Sequence, residues 1–488
     1  MWQRFKLFWI NDAITGIGIV IALALLSLSA WFYLERTIFC DIAYHTFTLI
    51  RTKQLLMGHF RFGSAITQLP ILLLCKWNAP LQLVLIAYSL IYPIYYVTVF
   101  AIIRWGFKNK LLAIIQLGFY VWFASDTFYW MQSELQQGIS ALLLFVAAIT
   151  YYQQQQKKTL ACLLSLIGIP FLFTFHPLMV FAITYIILYW FFFEKQMSLI
   201  QLAFYFAALL LTWLLKQKYL SNSYDDSHQL GISNIIHYFP NYYKLQSFKS
   251  FIHYLVADYK LWVLFCSALL SYLATQGNKK LVAFVVVYCL AYTILIVAVF
   301  EGGGEKFYFD NMYSLLGLFL AIPVFMAAQR QWQRFTKWTF VLIVITVVRI
   351  GQVYQTHQAY TDRIKWHQEV IADARQNHLT KISIPPNAKL EHQLKMTWAM
   401  AYESALLSSL NYQTTVSYYM AYAPMTTDSI LHFNAAAPNK AGQLFIAQFE
   451  QLPQTQLPSS YYQFSNAAYV VDSTLALKAL SEVSAAKH

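Results

Sequence analysis

Charge is what this sequence of 488 residues has least of: Asp, Glu, Lys and Arg together make up 11% of it, against about 25% in a soluble protein. That shortage excludes a string of soluble domains, although length alone would suggest about three. Cysteine is scarce as well. The five, Cys40, Cys75, Cys162, Cys266 and Cys289, include no CxxC pair, and the last three lie well inside apolar runs, so neither a disulfide scaffold nor a zinc cluster is expected. No N-x-S/T sequon occurs, which fits a bacterial source.

What is abundant is apolar. Hydrophobic residues make 59% and aromatics 18%, mean hydropathy is +0.47, and the excess covers most of the first 350 positions. The lipid bilayer is therefore the main solvent, and the chain reads as a polytopic membrane protein. Its net charge of +13, from 34 basic and 21 acidic residues, sits largely in short loops between apolar runs. There it sets orientation rather than binding nucleic acid.

Arg4 and Lys6 precede a run from Ala13 to Leu34 with no small-residue cleavage site, which predicts an uncleaved first helix with a cytoplasmic N-terminus. Apolar stretches near 13–34, 81–103, 111–130, 138–152, 159–175, 177–193, 199–215, 261–275, 281–300, 313–328 and 338–350 predict an all-α bundle of about eleven transmembrane helices. With that count, Arg104, Lys108, Lys110, Lys157, Lys158, Lys195, Lys279, Lys280, Arg330, Arg334 and Lys337 all fall on the inside, with Glu194 the only acid among them. The outer face receives 35–80, the 131–137 turn, 216–260, 301–312 and a tail from Gly351 to His488. Residues 66–75 are too few to span and read as an interfacial helix of the first outer loop. The tail loses long apolar runs and gains Gln, Asn, Ser and Pro. It predicts a helix around Ile364 to Ala374, a strand at Lys381–Ser383 stopped by Pro385 and Pro386, and another strand at Ala467–Val471. It reads as a small α/β domain over 351–488, without HExxH, GxSxG or a P-loop.

Four outer features carry chemistry. Asp41, His45, Thr48 and Thr52 share one helical face. Asp41 can act as a general base there, or it can cap the helix or pair with Arg36, Arg51 or Arg61. Glu134 is the only charge of its short turn, and an acid near the bilayer needs either a task or a salt-bridge partner. His176, before Pro177 at a junction of two spans, can meet a phosphate or sugar, or be satisfied by backbone. Finally Glu301-Gly302-Gly303-Gly304-Glu305-Lys306-Phe307-Tyr308 can turn N–H groups and an ammonium towards an anion, or can simply be a flexible hairpin.

In their order these features resemble the polytopic GT-C glycosyltransferase superfamily, particularly bacterial relatives of protein O-mannosyltransferases and lipid A aminoarabinosyl transferases. Cys40-Asp41-Ile42-Ala43-Tyr44-His45 through Gly58 and Pro70 matches the family's acidic first outer loop, with Ile42 where a second acid is frequent. Arg104 through Lys110 matches a basic inner turn, Glu134 the acid of the second outer loop, and His176 and Lys306-Phe307-Tyr308 polar outer positions. The resemblance covers the layout of residues 1–350, a GT-C-like module with 35–80 as its first outer loop.

It implies transfer of a sugar from a polyprenyl-phosphate donor to a lipid, glycan or protein acceptor on the periplasmic face of a bacterial inner membrane. Asp41 and Glu134 would be catalytic, with Arg51, Arg61, His176 and Lys306 on the phosphate and His45, Glu305 and Tyr308 as further substrate contacts. Mannosyl and aminoarabinosyl types work without a catalytic metal, whereas other branches hold a divalent ion on such acids. The competing readings are a transporter, flippase or polymerase of lipid-linked saccharides, which should carry ionisable groups at mid-membrane, and a membrane anchor for the tail.

Overall fold

The computed structural model describes residues 13–131, 133–195, 197–220, 231–330, 332–394, 396–410, 414–420, 442–446, 450–472 and 474–485. Arg4 and Lys6, the basis for a cytoplasmic N-terminus, lie outside these. The described chain is predominantly helical and membrane-embedded, with a few short strands towards its C-terminus.

A helix stands at each expected apolar stretch, but the count of eleven spans is corrected. Among the described residues, six helices are long and apolar enough to cross: Ala13–Trp31, Leu81–Gly106, Glu134–Gln154, Leu199–Tyr219, Lys279–Val299 and Thr339–Gln376. Gln246–Asp258 and Lys260–Thr275, bent by 89°, make a seventh if they form one broken span. Lys110–Trp122, Lys158–Phe173 and Met179–Glu194 are apolar but short. The reason is clearest for the first of these, expected to run to 130. Its helix stops at Trp122 because Arg349, buried at 1% exposure, takes the carbonyls of Val121 and Ala124 at 3.3 and 2.7 Å. Asp310 then accepts from the backbone of Ser125 and Thr127 at 2.8 and 3.1 Å. Apolar composition continued past the point where side chains from distant parts of the chain satisfy the backbone better than another helical turn does.

The stretches expected on one face do meet at one end of the bundle. Trp130 donates to Asp41, Ser133 to Asn311, and Lys306 forms ion pairs with Asp258 at 2.9 Å and Asp126 at 3.6 Å. The backbone N–H of Cys40 reaches Glu403. At the opposite end Arg104 donates to Thr15.

No break separates a tail at 350. Trp332–Gln376 is one helix of 45 residues, about 67 Å long at the helical rise and so far longer than the bilayer core. The expected helix at 364–374 is its distal part. Beyond it, β1 (Lys381–Ile384) lies between β2 (Ser417–Met420) and β5 (Val470–Val471), both parallel to it, while β3 (Gln443–Ile446) and β4 (Glu450–Pro453) pair antiparallel. Parallel neighbours require a crossover, and the buried helix Met400–Ser409 supplies it between β1 and β2. That helix also packs on Cys40–Thr52, which joins the C-terminal segment to the first loop.

Candidate functional site

At the junction of these parts lies a cavity of about 1530 Å3, larger than the ~300–1,000 Å3 usual for a drug-sized ligand. Asp41, His45, Arg61, Glu134, His176 and Tyr308 line it, so six of the nine residues expected to act in one site share one wall system. Arg51, Glu305 and Lys306 are not among its lining residues. Arg51 sits in the last turn of the helix Cys40–Thr52, whereas the cavity meets only that helix's beginning, at Asp41, Tyr44 and His45. For the same reason Thr48 and Thr52 drop out of the polar face. Lys306 is paired with Asp126 and Asp258 and borders a separate cavity of about 80 Å3.

Asp41 stands in the first turn of its helix but caps no backbone group and pairs with no arginine among the described residues. Arg36 is buried on Ser89 and the Phe128 carbonyl, and Arg61 is bonded to Glu134. Instead Trp130 Nε1 donates to Asp41 Oδ2 at 2.9 Å. Burial pushes the Asp41 carboxyl up to about 6, and Glu134 adds to the rise; the Trp130 bond and Arg61 pull it back. A carboxyl near 6 is ionised at neutral pH yet basic enough to take a proton, which suits a general base. Burial pushes His45 down to about 3, so its ring is a neutral hydrogen-bonding group at the cavity wall.

Glu134 begins the helix Glu134–Gln154, where the helix dipole favours an anion, and meets Arg61 at 3.2 Å with both side chains 12% exposed. The salt-bridge reading of Glu134 therefore holds alongside its place in the cavity. His176 Nδ1 accepts the N–H of Leu178 at 3.1 Å, the backbone satisfaction expected before a Pro-broken junction, and a ring accepting at Nδ1 carries its proton on Nε2. What brings this junction beside Arg61 is Gly63. A Cβ there would lie 2.4 Å from the Phe175 ring, and Gly63 N–H meets the Thr174 carbonyl. Gly63→Ala is expected to force that ring aside and lower stability by about 1–3 kcal/mol, read as a lower unfolding temperature in detergent.

The cavity also uses residues that sequence reasoning passed over. Phe206, Leu209, Leu210, Trp213, Lys216, Gln217 and Leu220 line it from one face of Leu199–Tyr219 and its end, opposite Leu295, Ile296 and Val299. Their three- and four-residue spacing, ending in Lys216, was a readable signal. His59, Trp130, Asn311, Trp398 and Tyr402 line it too. The last two lie in the C-terminal segment and had no signal of their own.

A buried ion cluster fixes Asp41's turn from that segment. Glu403, with 0% exposure, accepts from Arg363 Nη2 at 2.7 Å and Nε at 3.1 Å, from His367 Nε2 at 2.8 Å, and from the backbone N–H of Cys40 at 2.7 Å. Tyr418 completes it by donating to His367 Nδ1. Cys40, next to Asp41, has φ 41, a conformation costing a non-glycine residue roughly 1–3 kcal/mol, and the Glu403 bond holds it there. Burial alone would raise the Glu403 carboxyl; Arg363 and His367 outweigh that and hold it below its ordinary value.

Among the described residues, no group of three His, Cys, Asp or Glu side chains is placed to hold a metal ion. No family model, curated protein or solved structure matches this chain.

Proposed function

We propose that the chain is a membrane glycosyltransferase that takes a sugar from a polyprenyl-phosphate donor and passes it to an acceptor at the periplasmic face of a bacterial inner membrane, in a GT-C-like bundle. The observation that carries this reading is one cavity lined by two unlike sets of residues. Asp41, His45, Arg61, Glu134 and His176 are its polar and ionisable lining, Phe206, Leu209, Leu210, Leu295 and Val299 its apolar lining. An amphiphile whose reacting group is polar and whose anchor is a long hydrocarbon meets both. The helix Leu199–Tyr219, which supplies much of that apolar lining, is mostly exposed on its other faces, so in a bilayer lipid lies directly behind it and a tail has a lateral way in.

In this scheme Asp41 accepts the proton of the acceptor hydroxyl or amine as that atom attacks the anomeric carbon. The bond from that carbon to the phosphate oxygen breaks, and polyprenyl phosphate leaves with the electron pair. Lys216, His176 and Arg61 are the lining groups suited to the phosphate. Glu134 holds Arg61 in place and, by its charge, keeps Asp41 basic. The charges gathered at one end of the bundle favour an interfacial reaction over a path across the membrane.

The test is transfer of radiolabelled sugar from a panel of polyprenyl-phosphate sugars in proteoliposomes, with and without chelator. Labelled product or donor hydrolysis dependent on the protein is the expected result, and the chelator arm decides metal dependence. Intact donor moving between leaflets without bond cleavage would replace the transferase by a transporter.

A further inference from the structure

The cavity wall beside Asp41 is aromatic: besides Trp130 it carries a cluster of three rings that touch one another, two of them from the C-terminal segment. Tyr44 lies one helical turn beyond Asp41. Trp398 precedes the helix Met400–Ser409 and Tyr402 lies in its first turn. All three line the cavity. Their ring centroids are 5.2 Å apart for Tyr44 and Tyr402, 6.1 Å for Tyr44 and Trp398, and 6.4 Å for Trp398 and Tyr402, every pair edge to face. The rings therefore brace one another. Tyr402 is 1% exposed, while Tyr44 and Trp398 keep part of their surface open.

The bracing has a rigid support. Glu403, adjacent to Tyr402, is locked by Arg363, His367 and the Cys40 N–H, so the helix carrying Tyr402 and the helix carrying Asp41 and Tyr44 are held by one buried carboxylate. A wall assembled from residues more than 350 positions apart, next to a carboxyl poised to take a proton, is a built surface.

Its chemistry selects among ligands. A hydrocarbon chain is served by the aliphatic lining at Leu209, Leu210, Leu295 and Val299 and has no use for the carboxylates and imidazoles that line the same cavity as Tyr44 and Trp398. A sugar ring has one apolar C–H face that stacks on an aromatic ring and a rim of hydroxyls for groups such as Asp41, His45, His59 and Arg61, all on the same wall system. Resting on the transferase reading above, we propose that Tyr44, Trp398 and Tyr402 form the subsite for a sugar ring of the acceptor. The acceptor is thus a saccharide, and the C-terminal segment selects it.

The test uses the full chain in lipid nanodiscs and saturation-transfer NMR. The probes are soluble oligosaccharides of glucose, mannose, galactose and N-acetylglucosamine, a Ser/Thr-rich peptide, and a short-chain amino lipid. At least one oligosaccharide series is expected to receive saturation at its ring C–H protons, with affinity about tenfold lower in Trp398→Ala and near wild type in Trp398→Phe. Tyr44→Leu, which removes a ring from the first-loop side, should weaken binding similarly if Trp398→Ala does not fold.

Binding of the peptide or amino lipid alone, binding of no oligosaccharide, or affinity unchanged in both ring deletions overturns the proposal. The two readings fail separately. Trp398-dependent saccharide binding without any sugar transfer sinks the transferase and keeps the subsite. Transfer to a peptide or lipid that ignores Trp398 does the reverse.

Discussion

Asp41→Asn is expected to lower sugar transfer by about two to four orders of magnitude, the range associated with loss of a general base, while donor binding stays near wild type. The asparagine keeps the shape and can still accept the Trp130 N–H, so the cavity wall is preserved and only the proton acceptor is lost. With Asp41 pushed up to about 6 by burial, the wild-type rate should rise with pH through about 6 and level off above it, because the ionised carboxylate is the working form. The same rising limb should be missing from the residual rate of Asp41→Asn. Trp130→Phe removes a bond that stabilises the ionised form and is expected to move the limb to higher pH. A rate profile that ignores Asp41 and Trp130 would take the base away from this residue.

Glu403→Ala is expected to destabilise the protein by about 3–5 kcal/mol, the cost of breaking a buried ion pair from one side. It leaves Arg363, 5% exposed, without its carboxylate and the Cys40 N–H without its acceptor. Denaturant unfolding in detergent measures the loss, and limited proteolysis should show the C-terminal segment released first. Glu403→Gln, which can still accept from Cys40, should lose less. Acid gives an independent check on the sign. The folded-state value of Glu403 is depressed below 4.5, so its contribution is complete above that pH and is lost as pH falls through the lower folded value. Release of the C-terminal segment on acidification, absent in Glu403→Ala, is the expected signature.

Much of the candidate site could be read from the sequence because helices impose a period. Asp41 and His45, four residues apart, do face one cavity, and Glu134 and His176 come to it from the turns where short polar stretches interrupt apolar runs. The strand at Lys381–Ser383 was likewise visible as a β-rich segment stopped by Pro385 and Pro386, whereas of the expected run Ala467–Val471 only Val470–Val471 pairs, parallel to it. What could not be read was tertiary neutralisation. Lys306 beside three glycines resembles an anion contact until Asp126 and Asp258 close on it, and nothing near Lys306 in sequence announces either partner. The span count failed in the same way, since apolar composition through residue 122 and beyond does not reveal that Arg349 ends the helix there. The change of composition at 350 falls inside one helix, Trp332–Gln376, because a helix keeps its hydrogen bonds while its side chains change from apolar to polar. Trp398, Tyr402 and Glu403 were invisible for a simpler reason: their importance lies in what they touch, and Glu403 touches a backbone N–H 363 residues away.

On the transferase reading proposed above, one cavity receives the sugar-phosphate end of a prenyl lipid with its reactive carbon at Asp41. The most direct measurement is a cryo-EM structure of the full chain in nanodiscs with a non-hydrolysable polyprenyl-phosphonate sugar. Hydrocarbon density is expected along Leu209, Leu210 and Val299, the phosphonate near Lys216, His176 and Arg61, and the sugar beside Asp41. Density confined to the bilayer outside Leu199–Tyr219, or a headgroup seated away from Asp41 and Glu134, would contradict it.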